Sequence, residues 1–231
     1  MFVHDDTYPK IELESITTDA GRQYITPAGN KVDSVTTAIK KHFDQSFLIE
    51  WKKRVGETEA NRISAQATRL GSSVHNLLES YLKNENIDTR KVPPNAIELY
   101  KVIRNIVDTS CTRVYKLEDT LYSDMYSLAG RVDFISDYKG ELCVIDFKTS
   151  RREKKREHIE TYFVQAAAYA FMFEEMYDTP IEKSCILMGV QETGKCLVFE
   201  DETYKYRKHD FFLRRINDDQ DIPNLRIHPN Q

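Results

Sequence analysis

Between residues 114 and 148 the hydrophobic pattern takes a two-residue period, and that stretch sets what the rest of the chain can fold around. Segments 114–122, 126–137 and 141–148 are rich in Val, Ile, Tyr and Phe, and Asp137-Tyr138-Lys139-Gly140 is a turn signal between the last two. They predict three successive antiparallel strands. The third, Leu142 to Phe147, is apolar on both faces, as a central strand is, so a charge embedded in it needs a reason. Asp146 is such a charge, and Lys148, two residues on, projects from the same face. With the turn at Lys139-Gly140, Asp133 falls directly across from Asp146; an odd-length loop would put them on opposite faces. Opposed carboxylates repel, the more so when buried, and call for a cation. Lys148 is one, and an oxygen-rich site of this kind also suits Mg²⁺ or Mn²⁺. The plain alternative is an exposed Asp146–Lys148 salt bridge.

The flanking segments supply helices. Residues 10–26 read as two short strands closed by the turn Pro27-Ala28-Gly29-Asn30. Ser34 and Thr36 precede a helical stretch through Ile39 and Phe43, which resumes at Phe47 to Val55 and again from Glu57 to Leu70. Gly71 to Lys83 is amphipathic, with Val74, Leu77, Leu78, Tyr81 and Leu82 on one stripe. His75 and Glu79 stand one turn apart on its border and can converge on one point. Further helices are predicted from Pro94 to Ser110, from 157 to 178 and from Lys205 to Asn217, with strands at 184–191 and 196–200. The order of elements predicts an α/β sandwich. At 231 residues this is one domain, residues 1–70 forming an N-terminal elaboration and 71–217 the core.

A net charge of −4 excludes a protein that coats nucleic acid by bulk charge, so any such contact is local. Basic residues cluster at Lys52-Lys53-Arg54 and in the run Arg151 to Arg156. Cys111, Cys143, Cys185 and Cys196 are widely spaced, which gives neither a disulfide framework nor a zinc or iron–sulfur knuckle. No apolar run approaches the roughly 18 to 20 residues of a membrane span, and the N-terminus carries no leader pattern. The expectation is a soluble intracellular, cytoplasmic chain.

The series Gly71-x-x-x-His75-x-x-x-Glu79, Gly130-Arg131-Val132-Asp133, Asp146-x-Lys148 and Gln165-x-x-x-Tyr169 resembles the RecB-like branch of the PD-(D/E)xK nucleases, over about residues 34–200. Ser34-Val35-Thr36, the Trp51-Lys52 helix and Asp146-Phe147-Lys148-Thr149-Ser150 make it most similar to the mitochondrial and phage exonucleases of that branch. The resemblance implies a restriction-endonuclease-like α/β core with a central mixed sheet flanked by helices. It implies a Mg²⁺ or Mn²⁺ site, with no iron–sulfur cluster, on Asp133, Asp146, the Phe147 carbonyl and His75. Glu79 would then orient a water or His75, Lys148 the attacking water, and Gln165 and Tyr169 would position Lys148 or a phosphate. The implied activity is that of a metal-dependent exonuclease acting on single-stranded DNA ends in replication, recombination or repair. A structure-specific endonuclease, a double-strand exonuclease and a non-catalytic DNA-binding subunit are the competing readings.

The residues themselves leave alternatives open. His75 also suits a structural histidine; Gln165 and Tyr169 share a stripe with Met172 and Met176 that suits a core; Arg131 suits a carboxylate partner as well as DNA. Ser34, Thr36 and Thr37 are candidates for a phosphate at a helix start and equally for helix caps. Thr149 and Ser150 leave the catalytic strand where DNA would pass, and Lys53 and Arg54 precede the site. The run 151–156 suits a solvated face as well as a DNA clamp. Phe43, Phe47 and Trp51 suit base stacking over a covered strand, or a core.

Overall fold

A computed structural model describes residues 1–218; residues 219–231, the end of the predicted domain, lie outside them. In chain order the elements are β1 (Val3–His4), β2 (Ser15–Thr18), β3 (Gly21–Ile25), β4 (Lys31–Ser34), α1 (Val35–His42), α2 (Ser46–Val55), α3 (Glu57–Leu82), α4 (Pro94–Ser110), β5 (Cys111–Ser123), β6 (Leu128–Tyr138), β7 (Glu141–Ser150), α5 (Glu160–Tyr177), β8 (Lys183–Val190), β9 (Lys195–Glu202) and α6 (Asp210–Asp218). The strands form one mixed sheet: β4 with β6, β7 with β8 and β1 with β5 are parallel, the other pairs antiparallel. Helices cover both faces, as the sequence predicts.

On one face α5 packs with α1 and α6 over Val132, Ile135 and Val144. Ten residues of α5 are buried, so it is apolar nearly all round, as a helix enclosed between a sheet and other helices must be. On the other face α3 and α4 bury Val74, Leu78, Leu99 and Ile103 against Phe134, Ile145 and Phe147. Lys139 and Gly140 both take positive φ (53° and 85°), the two-residue hairpin turn whose twist matches antiparallel strands. The hairpin therefore has the predicted register, Phe134↔Ile145 through Tyr138↔Glu141.

Three features depart from the sequence reading. Residues 57–82 form one helix rather than two, because Gly71 in its middle weakens helix propensity by only about 1 kcal/mol and no Pro interrupts it. The four-residue β4 has too little pattern to be read locally; its pairing with β6 is non-local. The predicted helix from Lys205 is a 3-10 turn (Thr203–Tyr206) followed by α6, started where His209 Nδ1 accepts the Phe211 N–H (3.1 Å). In the N-terminal elaboration α2 buries no residue and Phe47 is 76% exposed, while Phe43 packs on the main core and Trp51 is half-buried.

Candidate active site

The site lies where the sheet splits. One edge of β6 pairs with β4 at Leu128 and Ala129 and with β7 from Phe134 onward, so Gly130 to Asp133 lack a ladder partner on that edge among the described strands. The hairpin register points Asp133 at Asp146, but the ladder stops one pair short. The Phe147 N–H instead donates to Asp133 Oδ2 (2.9 Å), which substitutes a carboxylate for a strand carbonyl.

Asp146 is buried, and its Oδ1 has no hydrogen-bond donor. Its compensation is the Lys148 ammonium, 2.5 Å from Oδ2. Burial pushes the Asp146 carboxyl up, Lys148 opposes this and Asp133 adds to it, leaving it at about 6. Lys148 is raised although burial disfavours its charge, because Asp146 and Asp133 hold the proton on it. A buried carboxylate with unfilled lone pairs beside a second carboxylate is a donor set that a hard divalent cation fits.

α3 brings His75 to this point. His75 Nε2 contacts the Phe147 carbonyl at 2.9 Å, and Nδ1 stands 3.8 Å from both Asp133 Oδ2 and Glu118 Oε1. Burial works against the imidazolium, but the Glu118 and Asp133 carboxylates outweigh it and raise His75 to about 9. His75, Glu118 and Asp133 thus offer three ligand atoms within 4.8 Å of one another. Glu118 was not singled out in the sequence. It lies at positive φ (49°) between the ladder pairs Leu117↔Phe134 and Asp119↔Val132, so β5 places it opposite Asp133. The signal available was register: the turn at 124–127 sets 118 across from 133.

Glu79 lines the cleft with His75, Glu118, Arg131 and Asp133, but its carboxylate accepts from Lys83 (2.7 Å) rather than meeting His75. Arg131 takes the carboxylate alternative: its Nε donates to the Glu118 carbonyl (2.8 Å) and lies 3.0 Å from Glu118 Oε2. Ser34, Thr36, Gln165 and Tyr169 line the adjoining 270 Å³ hollow with His75, Asp133 and Lys148. Ser34 accepts the Thr37 N–H (3.1 Å) as the α1 cap, and Thr37 is buried, its hydroxyl accepting the Arg22 N–H (3.0 Å). Thr36 is the exposed hydroxyl of the three. Thr149 and Ser150 line a separate cleft on the α4 side with Arg62, Arg69 and Asn95, while Lys53 and Arg54 are exposed in the last turn of α2 and line neither hollow.

Tyr169 is buried, which raises its hydroxyl well above the ordinary value, and the Gln165 side chain is its hydrogen-bond partner. Gly130 makes room for it: a Cβ there would stand 3.1 Å from Tyr169 Cε1 and OH and 3.3 Å from Val35. Gly130→Ala is expected to destabilise the protein by about 1–3 kcal/mol through overpacking, read as a lower urea midpoint with an unchanged m-value.

A family model described as the PD-(D/E)XK nuclease superfamily matches residues 46–227. The mouse protein named mitochondrial genome maintenance exonuclease 1 is 31% identical over 133 residues, covering 54% of this chain and 39% of that protein. The protein of that name from Xenopus tropicalis is 26% identical over 211 residues, covering 79% of this chain and 60% of that protein. The human protein of that name is 30% identical over 179 residues, covering 71% of this chain and 50% of its own length. The chain therefore spans less than two thirds of the relatives it matches.

Proposed function

The chain belongs to the PD-(D/E)XK nuclease superfamily, and from that premise we propose that it is a Mg²⁺- or Mn²⁺-dependent deoxyribonuclease that degrades single-stranded DNA from an end, in replication, recombination or repair. The observation that carries the reading is Asp146: buried, with no hydrogen-bond donor on Oδ1, its Oδ2 against the Lys148 ammonium, and Asp133 and His75 near enough to act on its charge. A fold does not retain such a group for stability.

In this reading Asp133 and Asp146 hold the ion together with the Phe147 carbonyl and His75. The imidazole of His75 contacts the Phe147 carbonyl, which holds these two groups together. Glu118 joins them, as a ligand or as the group that orients His75. A divalent cation held there supplies charge stabilisation to the phosphoryl group and acidifies a water. Lys148, kept protonated by the two aspartates, orients the attacking water and offsets phosphate charge. Gln165 and Tyr169 shape the wall behind Lys148, and Ser34 and Thr36 face the same hollow from α1. Cleavage with water delivered from the Lys148 side leaves a 5′-phosphate and a 3′-hydroxyl. Glu79 supports the site from one turn along α3, and Arg131 fixes Glu118.

The preference for single-stranded ends rests on two supports. Relatives named as exonucleases share 26–31% identity with this chain, and the poorly buried helical arm α2 with the start of α3 is suited to cover a strand. The enzyme acts inside the cell, where its substrate is; among the described residues no helix is long and apolar enough to cross a membrane. Incubation with Mg²⁺ should degrade a linear single-stranded oligonucleotide and leave a closed single-stranded circle intact. Cutting of the circle would transfer the assignment to an endonuclease on the same fold, and equal digestion of both with EDTA present would remove the metal from it.

A further inference from the structure

The five basic residues between Arg151 and Arg156 are not equivalent. Arg151 and Arg152 both reach Glu192 (3.4 and 3.2 Å), Lys155 stands 3.9 Å from Glu157, and Arg156 pairs with Asp201 and bonds the Tyr206 hydroxyl (2.7 Å). Each of those four has a carboxylate within ion-pair distance, Arg151 and Arg152 sharing one. Lys154 alone, among the described residues of the run, has no carboxylate within ion-pair distance. It turns inward: its Nζ donates to the Tyr162 hydroxyl (2.8 Å) and lies 5.0 Å from the centre of that ring.

Tyr162, in the first turn of α5, has a second cation on it. Lys148 Nζ is 5.2 Å from the same ring centre. The two ammoniums are thus within about 10 Å of each other, roughly one screening length at 0.1 M salt, and share one aromatic ring. Lys148 has Asp146; Lys154 has no anion. A half-buried ammonium that gives one N–H to the Tyr162 hydroxyl keeps two more donors and its charge for an anion. The Tyr162 hydroxyl, having accepted from Lys154, still has its own hydrogen to donate.

We propose that Lys154, seated by Tyr162, binds a phosphate of the substrate strand next to the one that is cut. The inference rests on the nuclease reading and extends it: the loop after β7 contributes one specific backbone contact and not a general basic clamp. The pair reads phosphate, so it acts on every base sequence alike.

The test is the salt dependence of oligothymidylate binding in EDTA, where nothing is cleaved, followed by steady-state cleavage in Mg²⁺. Lys154→Gln should weaken binding several-fold at 0.1 M salt and reduce the slope of log K against log salt by about 0.7, the value for one phosphate contact on a single strand. Its KM should rise with kcat kept, because the phosphate it holds is not the reacting one. Lys154→Arg should restore the slope, Tyr162→Phe should lose part of it, and Lys155→Gln should leave it unchanged. A wild-type slope and affinity in Lys154→Gln overturns the proposal while leaving the nuclease reading intact. Failure of the wild-type protein itself to bind the oligonucleotide, or to cleave it in Mg²⁺, is the separate result that removes the reading beneath it.

Discussion

Asp146→Asn is expected to lower single-strand cleavage by at least about 10³-fold, roughly 4 kcal/mol of barrier, while the protein stays folded and still binds DNA. The substitution keeps the shape of the side chain and removes its charge. The Asn side-chain carbonyl can still accept from the Lys148 ammonium, and burial already pushes the Asp146 carboxyl toward the neutral form, so the exchange does not break the core. What is lost is the anionic oxygen that the buried ammonium of Lys148 faces and that a divalent ion needs. Lys148→Ala should fall by a similar factor for a different reason, since the two aspartates then lose their resident cation and the water its orienting group. Circular dichroism and oligonucleotide binding separate loss of chemistry from loss of fold. Full activity in either variant would remove Asp146 and Lys148 from the reaction.

How far the sequence reaches is set by how local each signal is. The hairpin was legible because a two-residue turn fixes register over ten residues, and register fixes which side chains share a face; Phe134↔Ile145 follows directly from Lys139-Gly140. The split of the ladder at Asp133 was not legible, because it depends on β4 arriving from about a hundred residues upstream to take the other half of the same edge. Helical spacing located His75 but not its partners. Glu79, one turn away, bonds Lys83, whereas Glu118 comes from a strand and had no motif to mark it. Ser34, Thr36 and Thr37 suit caps and phosphate contacts alike in the sequence; Ser34 is the cap of α1, Thr37 is buried with its hydroxyl on the Arg22 N–H, and Thr36 is exposed at the hollow, a distinction that only the direction of each hydroxyl settles. The basic run shows the same limit: its charge was visible, but which of its five cations lacked a carboxylate depended on Glu192 in the β8–β9 turn and Asp201 on β9.

The stabilisation that Mg²⁺ confers should grow with pH between about 6.5 and 9. His75 is disfavoured as a cation by burial but raised to about 9 by Glu118 and Asp133. Because its folded value lies above the ordinary 6.5, its imidazolium contributes stability that is complete below pH 6.5 and lost as pH rises through about 9. Asp146, raised from 3.8 to about 6 chiefly by burial, contributes in its protonated form below 3.8 and loses that contribution by about 6. The metal-free protein therefore weakens as pH rises. The ion needs a neutral imidazole and an ionised carboxylate, so across the same window it competes with one proton, that of His75. Its affinity should then rise about tenfold per pH unit, which with the ion in constant excess is about 1.4 kcal/mol of added stability per unit. Thermal unfolding at fixed excess Mg²⁺ against EDTA, at half-unit intervals of pH, measures this directly. His75→Gln should flatten the dependence while leaving a weaker stabilisation by the ion, since no proton then has to leave, and Asp146→Asn should remove most of the stabilisation at every pH. A metal-induced shift in Tm that is the same at pH 6.5 and pH 9 in the wild-type protein would exclude His75 from the ion's ligands and leave it as the group that ties α3 to the Phe147 carbonyl.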